Sequence, residues 1–248
     1  FKALPISGSR CAGIKVNFTL EFSARQNVIV TMMARPDYLN VFLGRVGAFM
    51  MENKLGDGSG AGERAVISSQ NWVTGLSARN PWPTRLIAAS LRHYNQLELL
   101  AGTDVFTMPP RVAAAGRSAL SGNFTSRLHE NYDVSIYPSA AEAFVGKFWE
   151  VDDNVLSLAE RISSAPPSSG PELVHIAHEE GCKDLFPSIS GEEKSYLASD
   201  GKIPSYSRWA GKIKDQLIAP DTLLTLAGLE SFKSDQKKLD ERILGIIG

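Results

Sequence analysis

Residues 1–110 alternate between short apolar runs of strand length and longer stretches of helical character. Phe1–Ile6 (FKALPI), Gly13–Phe22 (GIKVNFTLEF), Asp37–Phe42 (DYLNVF), Thr84–Ser90 (TRLIAAS) and Val105–Met108 (VFTM) read as strands. Ser23–Arg35, which Pro36 must end, Ser68–Ser77 and Tyr94–Ala101 read as helices between them. Strands that alternate with helices at this spacing predict a parallel α/β sheet or barrel. Gly13–Phe22 carries the clearest period of two. Val16, Phe18 and Leu20 fall on one face, and Asn17, Thr19 and Glu21 on the other. An amide and a hydroxyl inside an apolar strand need somewhere to hydrogen-bond. Either that face is wet, or it opens into a barrel interior that serves as a site.

After Gly116 the pattern changes. Only Val134–Tyr137 still reads as a strand, and weakly. Ala140–Ile162 predicts one long helix with an acidic break at Asp152-Asp153, followed by the Pro/Ser linker Ser163–Pro171. Glu172–Glu180, closed by Gly181, and Glu192–Ser199 predict two more helices. Asp221–Ile247 predicts a final long helix with Asp221 as its N-cap; Leu223, Leu226, Leu229, Phe232, Leu239 and Ile243 keep mostly helical spacing. The expected division is residues 1–115 as barrel and 116–248 as a helical extension packed on it.

A net charge of −1 gives no global field toward nucleic acid or a membrane surface, and no apolar run has the length of a membrane span. Cys11 and Cys182 form no disulfide framework or metal pattern, which suits reduced thiols in the cytoplasm. The glycines of Asn53–Gly62 match neither phosphate-loop spacing, so a flexible surface loop is expected. His175 and His178 share a helical face without an evident third ligand.

The run Ile14–Ser23 followed by Gln26 resembles the "GI-x-x-N-x-TL-x-FS-x-x-Q" segment of transaldolases. Asn40-Val41-Phe42-Leu43-Gly44-Arg45 resembles the family's "SPFVGR", with Asn40 and Val41 replacing Ser and Pro. Ala88-Ala89-Ser90-Leu91-Arg92 resembles "ASFR", and Ala101–Pro109 resembles "AG-x-D-x-x-T-x-P". Phe232, Asp235-Gln236 and Leu239 resemble the closing "F-x-x-DQ-x-x-L". The segments occur in the family's order.

The resemblance implies a TIM (β/α)8 barrel of the class I aldolase type. Because the chain opens on Phe1 inside an apolar run, only the C-terminal strands of such a barrel are expected. It further implies a lysine Schiff base that passes a dihydroxyacetone unit from sedoheptulose 7-phosphate to glyceraldehyde 3-phosphate, with no cofactor and no metal. A fructose-6-phosphate aldolase-like lyase and a non-catalytic phosphosugar-binding remnant are the alternatives. Asn17 and Thr19 match positions around the bound three-carbon unit, Phe42 a ring lining the cavity, and Arg45, Arg92 and Ser90 the phosphate clamp. A single arginine is usually a solvated charge. Two of them just past strand ends suit phosphate oxygens. Lys2 is the one lysine on a strand before Asn17, but the stretch between them is shorter than the family's. The family's proton-handling aspartate and glutamate would precede residue 1, and neither Glu21 nor Asp104 matches them. Sugar phosphates are the implied partners, and a homodimer stays open.

Overall fold

The computed structural model of the chain describes residues 13–78 and 83–247. The expected strand Phe1–Ile6, and with it Lys2 and Cys11, lies outside the described residues. The described chain opens with β1 (Asn17–Glu21), α1 (Ala24–Ala34), β2 (Tyr38–Phe42), α2 (Leu43–Glu52) and α3 (Ala61–Ser77). β3 (Arg85–Ala89), the single-turn α4 (Gln96–Leu99), β4 (Val105–Thr107) and α5 (Pro110–Ala119) follow.

The four strands form one parallel sheet in the order β1-β2-β3-β4. Parallel neighbours in chain order with helical crossovers are an arc of a TIM-like (β/α) barrel. Local chemistry sets its corners. The Ser23 hydroxyl caps α1 by accepting from the Gln26 amide. The Gln26 side chain reaches back to the Phe22 N–H at 2.9 Å, which fixes where β1 ends. Arg35 takes the left-handed conformation (φ 45°) and returns its N–H to Thr31, and Pro36 prevents further turns.

The second half contains two 3₁₀ turns, Pro138–Ala143 and Val145–Phe148, then α6 (Asp153–Ser164) and α7 (Gly170–Glu179). A 3₁₀ turn at Lys183–Leu185 precedes α8 (Gly191–Asp200), α9 (Tyr206–Lys214) and the long α10 (Pro220–Ile247). Four expectations change. The long helix over Ala140–Ile162 is instead two tight turns and a separate α6. Phe144 is left-handed (φ 47°) and interrupts the chain, and Asp152 starts α6 by accepting from the Val155 amide at 3.0 Å. Val134–Tyr137 makes no strand, only a single antiparallel bridge from Ile136 to Gly56. The glycine loop is pinned there and by the Tyr137 amide on the Leu55 carbonyl, so it is not a free surface loop. Asp221 does not cap α10 from outside; it sits in the first turn, fully buried.

Leu39, Val41, Leu86 and Ala88 are buried on the sheet, and so are their alternates Asn40 and Ile87. Burial on both faces is what a parallel barrel strand requires. Their core continues through Phe49 of α2 and Val66 of α3 to Phe148, Trp209, Leu223 and Leu224, so the later helices complete the packing of the sheet. A second cluster joins Val28 and Ile29 of α1 to Leu158 and Ile162 of α6 and Leu173 and Ile176 of α7.

Candidate active site

Phe42, Gly44, Arg45, Ser90 and Arg92 meet just past the carboxyl ends of β2 and β3, the end where barrel enzymes carry their chemistry. Arg45 lies in the first turn of α2, directly after Phe42 closes β2. It is not a solvated charge but is only 8% exposed. Its guanidinium carbon lies 5.1 Å above the Phe42 ring and 6.0 Å from the Phe232 ring of α10. The Arg45 Nη1 atom is buried without a hydrogen-bond partner. No ion pair to Arg45 or Arg92 occurs among the described residues. Burial lowers the Arg45 pKa from its ordinary value, and the nearby Arg92 charge adds to that. Two like charges converge where an anion would relieve both.

Gly44 makes this approach possible. A Cβ there would stand 2.2 Å from the Ser90 carbonyl oxygen and 2.8 Å from Arg92 Nε. Ser90 turns the chain out of β3 in the left-handed conformation (φ 67°), a conformation found more often beside functional sites than in plain connections. Gln96 then holds the loop: its side-chain Oε1 accepts from the Arg92 amide at 2.7 Å and the His93 amide at 3.1 Å. Its amide nitrogen donates to buried Glu63 at 2.7 Å. Sequence reading passed over Gln96, although a Gln a few residues after a strand end is the spacing of a local cap.

Asn17 and Thr19 lie apart from the arginines. Asn17 begins β1, about 13 Å along the strand from its carboxyl end. Its side-chain oxygen accepts from the Asn40 amide at 2.7 Å, and Asn40 also donates to the Phe18 carbonyl at 2.9 Å. Asn40, noted in the sequence only as a departure, is thus the group that orients Asn17. Thr19 is exposed on the same strand. Between Phe18 and Glu21 the register slips, with Leu20 at φ 78°. The bulge turns Glu21 inward: it is 3% exposed, and its carboxyl oxygen sits 3.5 Å from the Asn40 N–H. Burial pushes its pKa up to about 8, offset only in part by backbone N–H groups.

α10 crosses β1 beside this group. A Cβ on Gly228 would stand 2.8 Å from Leu20 and 3.3 Å from Arg45 Nη1, so glycine lets the helix lie close. Thr225 donates to the Leu20 carbonyl at 2.8 Å and accepts from Gln26 at 3.0 Å. At the head of α10, Asp221 receives a bidentate pair from Arg25 at 2.8 and 2.7 Å, and Ser23 Oγ at 2.6 Å. The third Arg25 donor goes to Asp184 at 2.7 Å. Burial opposes the Arg25 charge, but the two carboxylates outweigh it and hold its pKa above the ordinary value. His175 and His178 contact Glu179 and the Phe186 carbonyl. Among the described residues no group of three His, Cys, Asp or Glu could hold a metal ion. No helix there is long and apolar enough to cross a membrane.

Residues 9–143, more than half of the chain, match the family described as transaldolase/fructose-6-phosphate aldolase. The chain belongs to this family. A probable transaldolase of Dictyostelium discoideum is 25% identical over 146 residues, which are 58% of this chain and 45% of the relative. The chain thus spans less than half the length of that curated relative. The matched segment of this transaldolase-family chain contains β1 to β4 and every arginine and asparagine of the candidate site.

Proposed function

We propose that the chain is a transaldolase that passes a dihydroxyacetone unit from sedoheptulose 7-phosphate to glyceraldehyde 3-phosphate, in the non-oxidative pentose phosphate pathway of the cytoplasm. The observation that carries this reading is the buried Arg45 guanidinium, whose Nη1 has no hydrogen-bond partner, beside Arg92 at the carboxyl ends of the strands. Guanidinium forks match phosphate oxygens, and a low-dielectric site strengthens the bond. Asn17, held by Asn40, and Thr19 lie nearer the amino end of β1, both exposed, where they would take the hydroxyls of the sugar's reacting end.

In the proposed reaction the Lys2 amine attacks the ketose carbonyl and loses water to give a protonated imine. The C4 hydroxyl then gives its proton to water, C4 becomes the aldehyde of the departing aldose phosphate as the C3–C4 bond breaks, and that bond's electron pair moves into the imine to form an enamine; the proton returns to the new alkoxide when the enamine adds to the acceptor. The enamine attacks the acceptor aldehyde, and water releases the new ketose phosphate. The family description also covers fructose-6-phosphate aldolases, which supports a lyase as the second reading.

Borohydride reduction in the presence of fructose 6-phosphate tests the chemistry. The expected result is a stable three- or six-carbon adduct on the peptide that carries Lys2. An adduct elsewhere, or none in a folded sample that still binds sugar phosphate, removes Lys2 from the mechanism. Turnover that an acceptor aldose phosphate does not accelerate favours the lyase.

A further inference from the structure

Four carboxylates are buried among the described residues: Glu21, Glu63, Asp184 and Asp221. Asp184 and Asp221 hold Arg25, and Glu63 accepts from the Gln96 amide. Glu21 differs from all three. It has no side-chain donor; its partners are backbone N–H groups, with that of Asn40 at 3.5 Å. A carboxyl buried on such terms costs stability, and an apolar side chain would fill the same space without that cost. A group of this kind beside a site is a candidate for chemistry.

Its neighbours place it along the path of a substrate. On one side stands Asn40, whose side chain holds Asn17. On the other stands Leu20, the next residue of β1. Leu20 and Arg45 Nη1 both approach Gly228, within 2.8 and 3.3 Å of where its Cβ would be. Glu21 therefore lies between the amides assigned to the reacting end of the sugar and the guanidinium assigned to its phosphate.

We propose that Glu21 is the base behind the water at C4, the first carbon beyond the three-carbon unit. This rests on the transaldolase reading. The water takes the proton of the C4 hydroxyl and passes one on to the Glu21 carboxylate. The C3–C4 bond breaks, its electron pair enters the imine, and C4 leaves as the aldehyde of the aldose phosphate. Glu21 keeps the proton while the enamine waits. It returns the proton through water to the alkoxide that forms when the enamine adds to the acceptor aldehyde, so the count closes over one turnover. An exposure of 3% suits contact through one water rather than directly with the sugar. Charge also favours the transfer. A positive imine and a negative carboxylate become a neutral enamine and a neutral acid, and burial favours the neutral form of Glu21. Burial pushes its pKa up to about 8, near neutral pH, where a general base works best.

Borohydride trapping of the full chain with fructose 6-phosphate tests the role, because the mass of the adduct reports how far the reaction has gone. Trapping before cleavage leaves six carbons on the lysine, and trapping after it leaves three. The parent should carry chiefly the three-carbon adduct. Glu21→Gln keeps the shape and still forms the imine, so it should carry chiefly the six-carbon adduct. Its release of glyceraldehyde 3-phosphate should slow roughly a hundredfold to ten-thousandfold. Circular dichroism checks that the variant is folded. Glu21→Ala opens space for a small carboxylate, and added formate should quicken its cleavage while leaving Glu21→Gln unchanged. A parental adduct ratio and rate in Glu21→Gln overturn the proposal, as does a folded variant that traps neither adduct, or Glu21→Ala that formate does not quicken. A parent that traps nothing overturns the transaldolase reading itself, and this role with it.

Discussion

Replacing Glu21 by Gln should flatten the pH dependence of stability and leave a protein more stable than the parent in mild alkali. In the folded chain the Glu21 carboxyl is 3% exposed and faces only weak hydrogen-bond donors, so its pKa stands at about 8 instead of 4.5. A group whose folded pKa is raised binds its proton more tightly in the folded state. Its contribution is full below pH 4.5 and is lost as the pH climbs from 4.5 through 8, because the unfolded chain ionises first. At about 1.4 kcal/mol per pH unit, that window bounds the loss at about 5 kcal/mol; relaxation around the charge should reduce it to a few kcal/mol. Gln keeps the shape and still accepts from the Asn40 N–H, but it cannot ionise. The assay is urea denaturation of both proteins at several pH values between 5 and 9. The parent should lose stability steadily over that range relative to the variant, and the two curves should run parallel above pH 9. Parallel curves throughout would mean that Glu21 is solvated or paired, and would refute its burial at the β1 bulge.

Three further changes test other parts of the structure. Arg92→Ala should weaken binding of a phosphorylated sugar roughly tenfold to a hundredfold, since a charge-assisted bond contributes about 1.5–3 kcal/mol. Isothermal titration against the unphosphorylated analogue, which should lose far less, separates a phosphate contact from a general loss of the site. Asp221→Asn leaves the fully buried Arg25 charge half-paired and should cost about 3–5 kcal/mol, seen as a lower Tm and urea midpoint; an unchanged midpoint would remove that ion pair from the core. Gly44→Ala places a methyl 2.2 Å from the Ser90 carbonyl, so either the fold weakens by several kcal/mol or the β3 loop shifts and sugar-phosphate affinity falls; a variant unaffected in both would contradict the close approach.

In the strand–helix half, several readings made from local pattern agree with the structure. The alternation of Val16–Leu20 marks β1, Ser23 and Pro36 bracket α1, and Arg45 and Arg92 converge past the ends of β2 and β3. Features set by distant partners were silent. Asp221 sits where an N-cap is expected from its neighbours, but its partner Arg25 is 196 residues away and pulls it into the core. The polar face of β1 was extended to Glu21 because nothing in a Leu announces a positive φ, and the bulge at Leu20 turns the carboxyl inward. α9 is not legible in the sequence because only Trp209 and Ile213 are buried on it, too few positions to establish a period. Asn40 looked like a deviation from a motif, and only the 2.7 Å bond to Asn17 gives it a task.

The Arg25–Asp221 pair also bears on the order in which the molecule assembles. Loop closure costs about 0.6 kcal/mol more for each doubling of the enclosed chain, so this contact carries about 2 kcal/mol more entropic cost than the 18-residue closure between Leu86 and Asp104. The parallel arc and its near neighbours should therefore form ahead of the docking of α10. Gly228 and Phe232, which border Arg45, arrive with that helix. On a ribosome the strands and both arginines emerge before α10, so the pocket around Arg45 stays unwalled until that helix has left the exit tunnel, and the capacity to hold an anion between the two arginines should appear abruptly at that point.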